Sequence, residues 1–159
     1  MAVNNEIERK YLVKDTSFLK ENFISEKIIQ GYLSVDPDRV VRIRVKGEKG
    51  FITIKGKSSD SGTTRLEWEK EIAVDEVLTL LPLCLPGVIN KTRFLVPFQN
   101  QNFEVDVFYG ENEGLVVAEL ELENENQAIN KPDWLGEEVT QDSRYYNAYL
   151  TDNPYKNWK

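Results

Sequence analysis

Residues 6–13 read EIERKYLV. Glu6, Glu8 and Lys10 stand two apart, with Ile7, Arg9 and Tyr11 between them. Side chains along a strand point alternately to opposite faces, so two carboxylates and an ammonium share one side. The stretch predicts a strand whose charged face needs an explanation.

The same arrangement recurs along the chain. In VVRIRVKG, Arg42, Arg44 and Lys46 alternate with Val41, Ile43 and Val45. FITIKGK sets Thr53, Lys55 and Lys57 opposite Ile52 and Ile54, and RLEWEKEI sets Arg65, Glu67, Glu69 and Glu71 opposite Leu66, Trp68 and Ile72. NKTRFLV pairs Lys91 with Arg93, and FEVDVF pairs Glu104 with Asp106. VVAELELE aligns Glu119, Glu121 and Glu123. Strands are predicted near 5–13, 27–35, 39–47, 50–57, 65–74, 89–98, 102–109 and 115–123. Turn residues separate several of them, as at Asp36-Pro37-Asp38 and Gln99-Asn100-Gln101-Asn102. Helices are expected over 16–23 after Asp15 or Thr16, over 75–81 after Asp75, and over 142–151. Glu123 to Pro132 reads as a turn or short helix.

Two architectures fit this pattern. One is an antiparallel sheet with a single wet face. The other closes eight strands into a barrel, with the charged faces inward and the apolar faces covered by a few helices. Unpaired charges are prohibitive in an interior, so such a lumen must hold water, ion pairs and a charged ligand. Arg and Lys rows suit phosphate oxygens. Carboxylate rows have no reason to approach phosphate unless a cation lies between them. On the barrel reading, Glu6 and Glu8 hold a metal and Lys10 touches the anion beside it.

The ordered set EIERKYLV, QGYL at 30–33, VRIR at 41–44, TIKG at 53–56, RLEWEKEI at 65–72, KTRF at 91–94, FEVDVF at 103–108, GLVVAELEL at 114–122 and VTQDSRYYNAYL at 139–150 resembles the CYTH domain, or triphosphate tunnel metalloenzyme, family. The resemblance spans essentially the whole chain. It implies an α+β, mainly β fold: one domain over 1–159 built on an eight-stranded antiparallel closed barrel with a few flanking helices. It also implies hydrolysis or cyclisation of a triphosphate with Mg²⁺ or Mn²⁺. By motif, Glu6, Glu8, Glu119, Glu121 and Asp106 become the implied metal ligands. Lys10, Arg42, Arg44, Lys55, Lys91 and Arg93 become the implied triphosphate clamp. Glu67 and Glu69 join Glu6, Glu8 and Lys10 as implied catalytic groups, orienting the bases or metal-bound water. Arg65, Lys57 and Tyr32 fall on the proposed inner faces without an assigned role, and Arg144 and Asn147 match the C-terminal motif as caps or ligand contacts.

Composition narrows the chemistry further. The 159 residues include no histidine, which excludes a Ser-His-Asp triad, a histidine base and a His-bearing zinc site. A net charge of −7 argues against general nucleic-acid binding. The single cysteine, Cys84, sits in LLPLCLPGV and reads as a buried structural thiol; with no internal disulfide possible, a reducing cytoplasm is expected. No signal peptide or membrane-spanning apolar run is seen, so no membrane partner is expected. The expected partner is a small-molecule triphosphate, and the chain is expected to be a monomer or a homodimer. The short chain favours inorganic tripolyphosphate as substrate. Alternatives are a class IV-type adenylate cyclase, a thiamine or nucleoside triphosphatase, and a polyphosphate-binding module without turnover.

Overall fold

The computed structural model describes residues 2–158, with side chains from residue 5 onward. Nine strands form one antiparallel sheet: β1 (Ala2–Val13), β2 (Ile24–Ser34), β3 (Arg39–Lys46), β4 (Lys49–Gly56), β5 (Thr64–Ile72), β6 (Ile89–Phe98), β7 (Gln101–Phe108), β8 (Val116–Glu121) and β9 (Leu135–Glu138). The order β5-β4-β3-β2-β6-β7-β8-β1 closes on itself, because β1 also pairs with β5 through Glu6 opposite Arg65 and Ile7 opposite Thr64. The eight expected strands therefore make a closed barrel, and the wet-faced open sheet is excluded. The sequence reading missed β9. Its four residues, LGEE, carry no alternation, and it docks on β1 where β5 has left it, with Tyr11 opposite Glu138.

Local chemistry sets the hairpins. Gly47, at φ +61°, starts the two-residue turn between β3 and β4. Gln99 and Asn100, at φ +47° and +66°, form the turn between β6 and β7. Two positive φ values in a row give the turn whose twist matches the flanking strands.

The apolar faces point outward, as the barrel reading requires. Tyr11, Phe103, Val105, Ala118, Leu120 and Leu135 form a buried cluster outside β7, β8 and β1. Phe18, Leu19 and Phe23 cover it together with Trp134, whose ring stacks on Phe18 at 4.2 Å. Helix α1 (Val74–Leu80) lies over β3 and β4, close enough that a Cβ on Gly50 would sit 2.6 Å from Val77 Cγ2. Ile54 and Leu66, on the outer face of β4 and β5, stay exposed. Among the described residues no helix is long and apolar enough to cross a membrane.

The helices differ most from expectation. The predicted helix at 16–23 is a single 3-10 turn, Ser17–Lys20, with Asp15 Oδ1 accepting from the Ser17 amide at 2.9 Å. Helix α1 begins before Asp75, and its first turn is held by Glu76, whose carboxylate accepts from the Ala73 amide at 3.0 Å. The predicted helix at 142–151 is broken. A 3-10 turn, Ser143–Tyr145, is separated from α2 (Asn147–Leu150) by extended Tyr146. The Tyr145 carbonyl accepts from Lys10 Nζ at 3.1 Å instead of from a following helical turn. Cys84 is half-buried, and burial raises its thiol pKa.

Candidate active site

Closure sorts the inward side chains by charge. β3, β4 and β6 supply Arg42, Arg44, Lys46, Lys55, Lys91 and Arg93. β1, β5, β7 and β8 supply Glu6, Glu8, Glu67, Glu69, Glu104, Asp106, Glu119 and Glu121. In barrel order, β4-β3-β2-β6 is the basic arc and β7-β8-β1-β5 the mainly acidic one, with Lys10 and Arg65 the bases set among the acids. They enclose a cavity of about 920 Å³ whose lining carries nine acidic and nine basic side chains. At one end an apolar collar of Tyr32, Val40, Ile89, Phe108 and Val117 meets Leu150, Tyr145 and Trp158 from the C-terminal segment.

The bases are held by specific acceptors. Lys55 Nζ donates to Glu6 at 2.8 Å and lies 3.5 Å from Glu67. Arg44 and Arg42 lie 3.5 and 3.7 Å from Glu69, which also accepts from Thr53 Oγ1 at 2.7 Å. Arg93 clasps Asp106 with two bonds, at 2.8 and 2.9 Å, and Lys91 donates to the same carboxylate at 2.8 Å. Asp106 thus spends both oxygens on cations and stands 1% exposed. Burial lowers the Lys91 ammonium to about 8 despite Asp106. Burial, with Arg42 and Arg93 close by, lowers Arg44 to about 10, so it stays charged at neutral pH. The Nε donors of Arg42 and Arg44 are buried and lack partners among the described residues.

The acids are the opposite case. Glu8 faces Glu121 across β1 and β8, and Glu104 faces Glu119 across β7 and β8. Like charges directly opposite on one sheet face are unfavourable. Burial, then Glu119 and Glu6, raises the Glu8 carboxyl well above the usual carboxylate range. Burial would also raise Glu119, but Lys10 and Arg93 outweigh it and keep that carboxylate ionised. The two carboxyls are thus pushed in opposite directions, Glu8 up and Glu119 down. Among the described residues no three acidic side chains converge as a ready-made metal cage, because Glu6 leans on Lys55 and Glu119 on Arg93. The donor set still fits a hard divalent cation: it is all oxygen, and its like-charged carboxylates gain from one.

The implied metal ligands, clamp bases and catalytic carboxylates all line this lumen except Asp106, which stands behind its wall. Lys57, Arg65 and Tyr32 line it as well. Arg144 does not; it is exposed, bonded to Asp142 and set against the Tyr145 and Trp158 rings. Sequence reasoning missed Gln30, fully buried and bonded through Nε2 to Tyr32 and Asn147, and Tyr146, whose ring lies 5.4 Å from Lys10 Nζ. An uncharged amide in an apolar strand carries no signal. Trp68 and Trp134 belong to the exterior and offer no stacking surface to a ligand.

A charge-sorted, eight-stranded tunnel is the geometry expected from the motifs, and a family model for the CYTH domain matches residues 4–149. The chain belongs to the CYTH family. This CYTH chain is 46% identical over 160 residues to a protein from Acetivibrio thermocellus named inorganic triphosphatase, covering 99% of each chain. A protein of the same name from Nitrosomonas europaea is 38% identical over 149 residues, covering 91% of this chain and 95% of that one. Among solved structures, an inorganic triphosphatase superposes with a TM-score of 0.67 at 34% identity, covering 92% of the CYTH chain and 93% of its own.

Proposed function

We propose that the chain acts as one tunnel domain that hydrolyses inorganic tripolyphosphate to pyrophosphate and phosphate with a divalent cation. The observation that carries this is the facing of a basic arc and an acidic arc across one lumen. Two relatives named inorganic triphosphatase that match nearly end to end support it.

Arg42, Arg44, Lys55, Lys91, Arg93 and Lys10 bind the phosphate oxygens. Glu69 orients Arg42 and Arg44. Asp106, expected as a metal ligand, has both oxygens bonded to Arg93 and Lys91, and in this reading it positions those two bases. Glu6, Glu8, Glu119 and Glu121 would hold Mg²⁺ or Mn²⁺. A bound divalent cation supplies charge neutralisation across the anhydride oxygens. Glu67, raised by burial and by Glu6, accepts the proton of the attacking water. That water forms the new P–O bond as pyrophosphate leaves with the electrons of the broken one. Most of the rate gain comes from fixed charges already aimed at the phosphoryl group.

A panel of tripolyphosphate, ATP and thiamine triphosphate with Mg²⁺ and with Mn²⁺, scored for released phosphate and for cyclic AMP, tests the reading. Metal-dependent phosphate release, fastest on tripolyphosphate, is expected. Cyclic AMP as the main product, or tight binding without turnover, would overturn it.

A further inference from the structure

The broken C-terminal helix delivers an amide whose orientation is forced. Asn147 Oδ1 lies 2.8 Å from Lys91 Nζ. An ammonium only donates, so the atom it touches must be the amide oxygen. Gln30 Nε2 donates to that same oxygen at 3.0 Å. Asn147 Nδ2 is thereby turned away from both, and it has no hydrogen-bond partner among the described residues. Asn147 lines the lumen, and two residues earlier the Tyr145 carbonyl holds Lys10 Nζ. A donor with two free hydrogens thus stands on the lumen wall beside Lys91.

We infer that Asn147 is a further substrate-binding residue, donating from Nδ2 to a phosphate oxygen while its oxygen keeps Lys91 in place. The inference rests on the tripolyphosphatase reading. The helix break at Tyr146 leaves the Tyr145 carbonyl free for Lys10. A continuous helix would draw the Tyr145 carbonyl back into its own backbone bonds and away from Lys10. Neither function of the amide can be exchanged for the other, because Lys91 fixes which end is which.

The test uses the full chain and tripolyphosphate without metal, read by calorimetry. Asn147→Asp keeps an oxygen for Lys91 but replaces the donor with a second acceptor. Asn147→Ala loses both. A hydrogen bond to a charged group corresponds to about 10–100-fold in affinity, and both variants are expected to bind more weakly within that range, with Asp the worse. Their melting temperatures should stay within about 4 °C of the wild type. The Asn147 side-chain amide signals, assigned by their loss in Asn147→Asp, should also shift when tripolyphosphate is added. Wild-type affinity in Asn147→Asp, or unmoved amide signals, would overturn the inference and leave Asn147 as a positioning residue for Lys91. Absence of tripolyphosphate binding by the wild type both with and without Mg²⁺ would instead sink the functional reading.

Discussion

Glu8 and Glu121 stand directly opposite each other across β1 and β8, two carboxylates facing one lumen. Burial, and after it the nearby Glu119 and Glu6, raises the Glu8 pKa. Between the ordinary carboxylate range and its raised value, native Glu8 keeps a proton that the unfolded chain has released. Stability therefore falls as pH rises through that window. Glu8→Gln should raise the melting temperature of the metal-free protein at pH 8 by about 2–4 °C, on the scale of one relieved like-charge pair. The gain should vanish below about pH 4. The same variant should lose metal-activated turnover by at least about 100-fold. Thermal scans at several pH values and a phosphate-release assay check both halves.

Asp106 is the deepest anchor of the basic arc. Its folded pKa is lowered: burial opposes ionisation, but Arg93 and Lys91 outweigh it. Its stabilising contribution is present above the ordinary aspartate value and lost as pH falls through the lowered one. Asp106→Ala leaves two buried cations without their shared partner and should cost about 3–5 kcal/mol in urea unfolding at pH 7. An effect below about 1 kcal/mol would show that the cations are satisfied elsewhere.

Lys91 titrates near 8 in the free protein, well below an ordinary lysine. Above that value the native state has lost a proton that the unfolded state retains, so this residue's contribution to stability rises with pH between about 8 and 10. Anion binding has the opposite trend, because the clamp has lost a charge. Metal-free tripolyphosphate affinity should fall above pH 8 by up to about tenfold per pH unit. Lys91→Met should bind more weakly at pH 7 and flatten that slope. Calorimetry across pH 6.5–9.5 reads both.

Loading should be cooperative between cation and anion. Each neutralises the arc that repels the other's neighbours. At saturating Mg²⁺ and a tripolyphosphate concentration about 100-fold above its Kd, stabilisation of about 2.7 kcal/mol is expected, or roughly 5–10 °C. Either component alone should give less than half of that shift, and a chelator should reverse the excess. Equal shifts with and without cation would remove the metal from the acidic arc.

The barrel was legible because its signal is periodic. Arg42 and Arg44, or Glu119 and Glu121, announce a charged face by spacing alone. Charge sorting by strand left lumen and solvent face both open; the family motifs pointed to the lumen, and the pairing of β1 with β5 closes it. What was not legible depends on contacts between distant segments. Asp106 reads like any other carboxylate of the row until Arg93 and Lys91 are seen to enclose it. The helix expected over 142–151 is locally plausible, and only Lys10, more than 130 residues away, withdraws the Tyr145 carbonyl from it. β9 is too short to carry a pattern, and its place on β1 exists only because β5 diverges.

The equal count of opposite charges around the cavity bears on how the site responds to its medium. A purely cationic phosphate patch trades its ligand against dissolved counterions and weakens steeply as electrolyte is added. Here a polyanion that arrives already dressed in Mg²⁺ brings far less charge than the naked anion, and the walls shield the contacts from mobile ions. Retention of the dressed guest should therefore be nearly indifferent to added potassium chloride, while the naked anion is washed out.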